Sequence, residues 1–135
     1  MRHILLVTLI GLITCFGAKA QEPTQTPTDC KKFHDGKFII KDPVAGHSDI
    51  IVRHKNIQIE HLQGKKGYMK FKVEWPDDCT YTLKMIKCTG DGCDDMPKDA
   101  IFTAHIYATT ANSYKIRSRF STSAIEYEYE IFKVK

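Results

Sequence analysis

Beyond its first twenty residues the chain has no apolar run long enough to span a bilayer as a helix, and it has only one tryptophan. It also lacks every recognisable catalytic signature of the Gly-x-Ser-x-Gly, His-Glu-x-x-His or phosphate-loop kind. These absences exclude a helical membrane anchor in the mature chain and remove the commonest hydrolase, zinc-protease and nucleotide-binding classes. An excess of one charge is missing as well. Cleavage after Ala20 would remove Arg2 and Lys19 and no acid, lowering the formal charge from +4 to +2. So weak a balance argues against a nucleic-acid partner. Helical periodicity is absent too; the apolar residues alternate.

What is present first is an address. Arg2 and His3 make a short basic start, residues 4–17 are almost wholly apolar, and "AKA" at 18–20 offers small residues to a signal peptidase. Residues 1–20 read as a secretory signal peptide, residues 21–29 as a flexible segment, and residues 30–135 as a single domain exported to the periplasm or beyond. Cys15 opens the lipoprotein alternative, but Thr14 suits the position before a lipidated cysteine poorly.

The alternation predicts strands. In "YMKFKVEW" Met69, Phe71, Val73 and Trp75 share one face, and in "TYTLKM" Tyr81, Leu83 and Met85 do the same, with Pro76-Asp77-Asp78 as the turn between them. "KFII", "DIIVR", "NIQIEHL", "IFTAHIYAT", "YKIRSRF" and "AIEYEYEIF" complete about eight strands with turn signals between nearly all of them. The fold class expected is all-β, an antiparallel meander closing into a small barrel or half-barrel, which would remove exposed sheet edges.

Four cysteines follow the signal segment: Cys30, Cys79, Cys88 and Cys93. In an exported chain they read as disulfides, and four cysteines allow three pairings. An extended strand after Cys79 places Cys88 about 30 Å away at roughly 3.3 Å per residue, far beyond the reach of a disulfide. Cys93 lies one tight turn from Cys88, with Asp91-Gly92 as the turn signal. Only Cys30–Cys79 with Cys88–Cys93 survives. "CTGDGCDD" is thus a pinned turn. Its acids, Asp91, Asp94, Asp95 and Asp99, lack the order of a calcium loop, and oxidised cysteines cannot hold zinc. His47, His54 and His61 recur every seventh residue, which on strands alternates faces and gives no ligand set. No metal or cofactor is expected.

Two stripes invite functional readings. Lys115, Arg117 and Arg119 form a basic face, but pairing Phe120 with Ile125 would set them against Glu130, Glu128 and Glu126, so the stripe is read as cross-strand ion pairs. Tyr127 and Tyr129 then share an inward face with Ile125 and Ile131, opposite Ser118, Ile116 and Tyr114. That face is read as core, with room for a small polar-lined cavity.

Three stretches, "DCKKFHDGKF", "IVRHKNIQIE" and "VEWPDDCTYTL", resemble a group of small, exported, uncharacterised β-proteins of Gram-negative bacteria. The matching positions are Cys30, Phe33, Gly36 and Phe38; Arg53, Gln58 and Glu60; and Trp75, Cys79, Tyr81 and Leu83. Such sequences sometimes carry the name DNA topoisomerase IV, which an exported chain of 135 residues does not support. The resemblance covers residues 29–85, agrees with the Cys30–Cys79 pairing, implies a lipocalin-like meander, and implies no activity.

The leading expectation is a non-enzymatic binding or interaction module of the envelope or secretome, contacting an envelope or secreted protein through loops at 43–48 or 94–99. The alternative is a lipocalin-like carrier of a small apolar ligand held by Phe71, Trp75, Tyr81 and Tyr129, which needs a cavity of at least about 300 Å³. An enzyme of unknown type ranks third.

Overall fold

The computed structural model describes residues 29–42, 47–94 and 96–135. The expected signal peptide at residues 1–20, with Cys15, and residues 21–28 lie outside the described residues. A short 3-10 helix, Cys30–Phe33, leads into eight strands: β1 Gly36–Asp42, β2 His47–His54, β3 Ile57–His61, β4 Gly67–Asp77, β5 Thr80–Gly90, β6 Ile101–Thr109, β7 Ser113–Phe120 and β8 Tyr127–Val134. Each strand pairs antiparallel with its sequence neighbour, and β8 returns to β1 through Ile39 opposite Phe132 and Ile40 opposite Ile131, closing the barrel. Among the described residues no helix is long and apolar enough to cross a membrane, which says nothing of strands.

Period-two alternation decides which side chains enter. Met69, Phe71 and Val73 of β4 and Tyr81 and Leu83 of β5 are buried, joined by Phe38, Ile51, Ile106, Tyr114, Ile116 and Ile131 from the other strands. A register shift in β5 moves its inward set from Tyr81, Leu83 and Met85 to Cys88. Lys70 pairs with Lys87 but the next residue, Phe71, pairs with Met85, so Ile86 bulges outward and is exposed.

Both disulfides form as the strand lengths require, Cys30–Cys79 and Cys88–Cys93. They staple opposite ends of the barrel. Cys30–Cys79 ties the 3-10 helix to the β4–β5 turn, and His34 Nε2 meets the Asp78 carbonyl at 2.8 Å beside it. Phe33, completely buried, lies at this end against Tyr114, ring centroids 4.8 Å apart. We call this the closed end. At the other end Cys88–Cys93 pins the β5–β6 loop, and Gly67 opposes Gly90 across the β4–β5 ladder. A Cβ on either glycine would overlap the facing backbone, and both have positive φ, so only glycine fits the pair.

The β7–β8 hairpin has the expected register: Arg117 faces Glu128, Lys115 faces Glu130, and Ser118, Ile116 and Tyr114 face Tyr127, Tyr129 and Ile131. Arg117 Nε donates to Glu128 Oε1 at 2.8 Å, whereas Glu130 Oε1 accepts from Ser113 Oγ at 2.8 Å. One part of the expectation is corrected. Ile125 does not pair with Phe120 or face inward, and Arg119 does not oppose Glu126 but pairs with Thr103 of β6; Ile125 is 61% exposed and precedes β8, and the ladder ends at Ser118 opposite Tyr127. Hydrogen bonds divert the chain there, with Ser121 N donating to the Ile101 carbonyl of β6, Ser123 N to Phe120 O, and Ile125 N to Ser123 Oγ.

Candidate functional site: an interior cavity with one polar wall

Strand ends assign the two halves of the interior. Toward the closed end the inward side chains fill the barrel. Toward the open end, where β3 leads to β4 and β7 to β8, they leave a cavity of about 450 Å³. Apolar groups supply most of its wall, among them Ile51, Met69, Leu83, Phe102, Ile116 and Ile131. Leu62 and Met96 approach from the β3–β4 and β5–β6 connections, so the pinned turn helps to shape the mouth.

The charged and amide side chains of the wall are not scattered. Asp49 and Ile51 of β2 and Gln58 and Glu60 of β3 line one side, with Gln63 and Lys65 in the exposed β3–β4 connection at the rim. Glu60 faces inward because it opposes Ile51 on one side and Met69 on the other. Ile57 and Ile59, which share its strand, consequently point the other way.

Behind this wall lies a relay of side chains. Arg53 is 1% exposed and pairs across β2–β3 with Gln58, itself 1% exposed. Arg53 Nε donates to Gln58 Oε1 at 2.7 Å, and Gln58 Nε2 donates to Glu60 Oε1 at 2.6 Å. The amide orientation is fixed by chemistry, since guanidinium only donates and carboxylate only accepts. Arg53 also donates to Phe33 O at 2.9 Å and to Tyr114 Oη at 3.3 Å. Its guanidinium lies over the rings of Tyr81, Phe38 and Trp75, at 4.5, 5.3 and 5.4 Å from their centroids. Burial opposes its charge, but Tyr114 and Tyr81 outweigh burial and raise its pKa. The Arg53 cation is therefore enclosed at the closed end and does not line the cavity.

Glu60 responds to the same surroundings. Burial pushes its carboxyl above the ordinary range, opposed by the Gln58 hydrogen bond and the field of Arg53, while Asp49 raises it further. Tyr81 is held well above the usual phenol range, chiefly by burial and then by Tyr114, so it remains a neutral hydroxyl.

Of the four aromatic residues expected around a ligand, Phe71, Tyr81 and Tyr129 line the cavity. Trp75 lies at the closed end, stacked on His34 with centroids 3.5 Å apart and 4.9 Å from Tyr81. Its Nε1 is the one buried side-chain nitrogen or oxygen without a hydrogen-bond partner among the described residues. Reasoning from sequence assigned no role to Arg53, Gln58 and Glu60. The available signal was their spacing, since residues 58 and 60 share a strand face and Arg53 stands across a two-residue turn from them.

Among the described residues no three His, Cys, Asp or Glu side chains are placed to hold a metal. His54 sits 3.7 Å from Asp35, and His61 lies beside the Tyr68 ring, with centroids 6.2 Å apart. Of the loops expected to carry a docking patch, residues 43–46 and 95 lie outside the described residues. Comparison of the chain with protein-family models, with curated proteins and with solved structures gave no match.

Proposed function

We propose that this protein is an exported, non-enzymatic binding module whose barrel carries a small, mainly apolar ligand. The observation that supports the reading is the cavity of about 450 Å³ at the open end. That volume falls within the range of small-molecule sites, roughly 300–1,000 Å³, and so does the pattern of an apolar wall with a few convergent polar groups. A barrel built only to display loops gains nothing by leaving its interior unfilled, because each missing contact in a core weakens it. The two disulfides suit an oxidising compartment, in keeping with export.

The closed end supplies the rigidity a carrier needs. The 3-10 helix, the Cys30–Cys79 staple and the Arg53 cluster hold the lower half of the barrel, so ligand entry involves only the open-end connections.

The test is titration with N-phenyl-1-naphthylamine, an uncharged apolar dye that fluoresces on leaving water. Saturable, stoichiometric enhancement is expected for the natural chain. Ile51→Trp, which puts a larger ring into the cavity wall, should weaken it while far-UV circular dichroism stays unchanged. Enhancement of unchanged affinity in that variant would place the dye elsewhere and refute the reading.

A further inference from the structure

The chemistry of the ligand's polar end follows from the same cavity, and this inference rests on the carrier reading above. The interior has one positive and two negative side chains in its β2–β3 wall, but they are not equally available. Arg53 spends its donors on Gln58, Phe33 and Tyr114 and its faces on three rings. Lys65, the cation in the lining, stands exposed at the rim. Glu60, by contrast, lies within the wall. Its Oε1 accepts from Gln58, and among the described residues its Oε2 has no hydrogen-bond or ion-pair partner. Asp49 lines the same wall and adds a second negative charge.

A carboxylate or phosphate entering this cavity would meet the acids Glu60 and Asp49, with neutral tyrosine hydroxyls but, among the described residues, no inner cation to receive it. An alcohol would find an acceptor. An ammonium would find both an acceptor and an opposite charge, in surroundings where a charge-assisted hydrogen bond is worth more than a neutral one. We propose that the cavity takes a cationic amphiphile, an apolar body ending in a protonated amine that donates to Glu60 Oε2. Gln58 positions the acceptor. Its amide, anchored by Arg53, holds Oε1 and so turns the second oxygen toward the cavity.

Burial already presses Glu60 toward its neutral form. An ammonium ligand would reverse this, so binding should release a proton wherever free Glu60 is partly protonated. The groups facing it are Asp49, Arg53 through Gln58, Lys65 at the rim, and the Tyr81 hydroxyl.

The experiment is a matched series, decylamine, decanol and decanoate, each titrated calorimetrically at neutral pH below micelle-forming concentrations, into the natural chain and into Glu60→Gln. Decylamine should bind at least about tenfold more tightly than decanol, and decanoate weakest. In Glu60→Gln the amine should lose about that factor while decanol is unchanged. Asp49→Asn, which leaves the Gln58 relay intact, should weaken the amine by a smaller factor. Decanoate binding as tightly as decylamine, or an amine preference that survives Glu60→Gln, would overturn the inference and leave the carrier reading standing. No binding by any of the three would instead overturn the carrier reading.

Discussion

Arg53 and Gln58 face each other directly across β2 and β3, and the guanidinium Nε donates to the amide oxygen at 2.7 Å with both residues 1% exposed. This contact divides the barrel interior. On its far side are the 3-10 helix, Trp75 and the aromatic rings that cover the cation; on its near side is Glu60 and the cavity. A buried cation without a contacting carboxylate is costly unless its donors are all directed, and here backbone, amide, hydroxyl and π faces share that task.

Removing the cation should therefore unfold the closed end before it affects the mouth. Arg53→Ala leaves Gln58 Oε1, Phe33 O and Tyr114 Oη without their donor, and a loss of about 3–5 kcal/mol is expected in urea unfolding. Arg53→Met combined with Gln58→Leu should cost clearly less than the two single changes added together. Additive losses would show that the two side chains act independently.

The staples should differ in worth. Replacing Cys30 and Cys79 by serine opens a loop with sequence separation 49, worth about 4 kcal/mol by chain entropy. Replacing Cys88 and Cys93 opens one of separation 5, worth about 2 kcal/mol. The second change should also alter ligand affinity, since the pinned loop brings Met96 to the mouth. Equal losses in unfolding, with affinity unchanged in both, would contradict this division.

Two glycines with similar φ should respond differently to alanine. Gly64 has φ +77° and open space around it, so Gly64→Ala should cost only about 1 kcal/mol. Gly90 has φ +85° and the Lys66 carbonyl where its Cβ would lie, so Gly90→Ala should cost at least about 2 kcal/mol more. Thermal denaturation of the two variants reads the difference directly.

Because its folded carboxyl is raised, Glu60 contributes stability below the ordinary carboxylate range, and that contribution is lost as pH rises through the raised value. Glu60→Gln, which cannot ionise, should therefore become more stable relative to the natural chain as pH rises from about 4 to 7. A stability difference independent of pH would show that Glu60 titrates like an exposed carboxyl.

Strand number, the β7–β8 register and both disulfides were legible because each rests on a local rule. Alternation sets which face is buried, and strand length keeps Cys79 from Cys88. The rules failed where a tertiary partner decides. In "NIQIEHL" the pattern reads equally well with Ile57 and Ile59 inside or outside, and only closure of the barrel beside β4 turns Gln58 and Glu60 inward. Ile125 continues the apolar phase of Tyr127 and Tyr129 in sequence, yet Ser121 leaves the ladder for Ile101 and the strand begins two residues later. The inward aromatic set was equally legible as a set, but not its division: Trp75 follows Val73 in phase and still ends at the closed end against His34, while Phe71 reaches the cavity.

The central claim is that the open half of this barrel is a ligand site and the closed half a packed plug. The most direct test is methyl NMR during titration with decylamine. The account predicts saturable shifts for the methyls of Ile51, Met69 and Leu83, which line the cavity, with those of Val73 and Ile106, buried outside its lining, unmoved. Shifts confined to exposed methyls such as those of Ile86 and Ile125, with Ile51, Met69 and Leu83 unchanged, would contradict it.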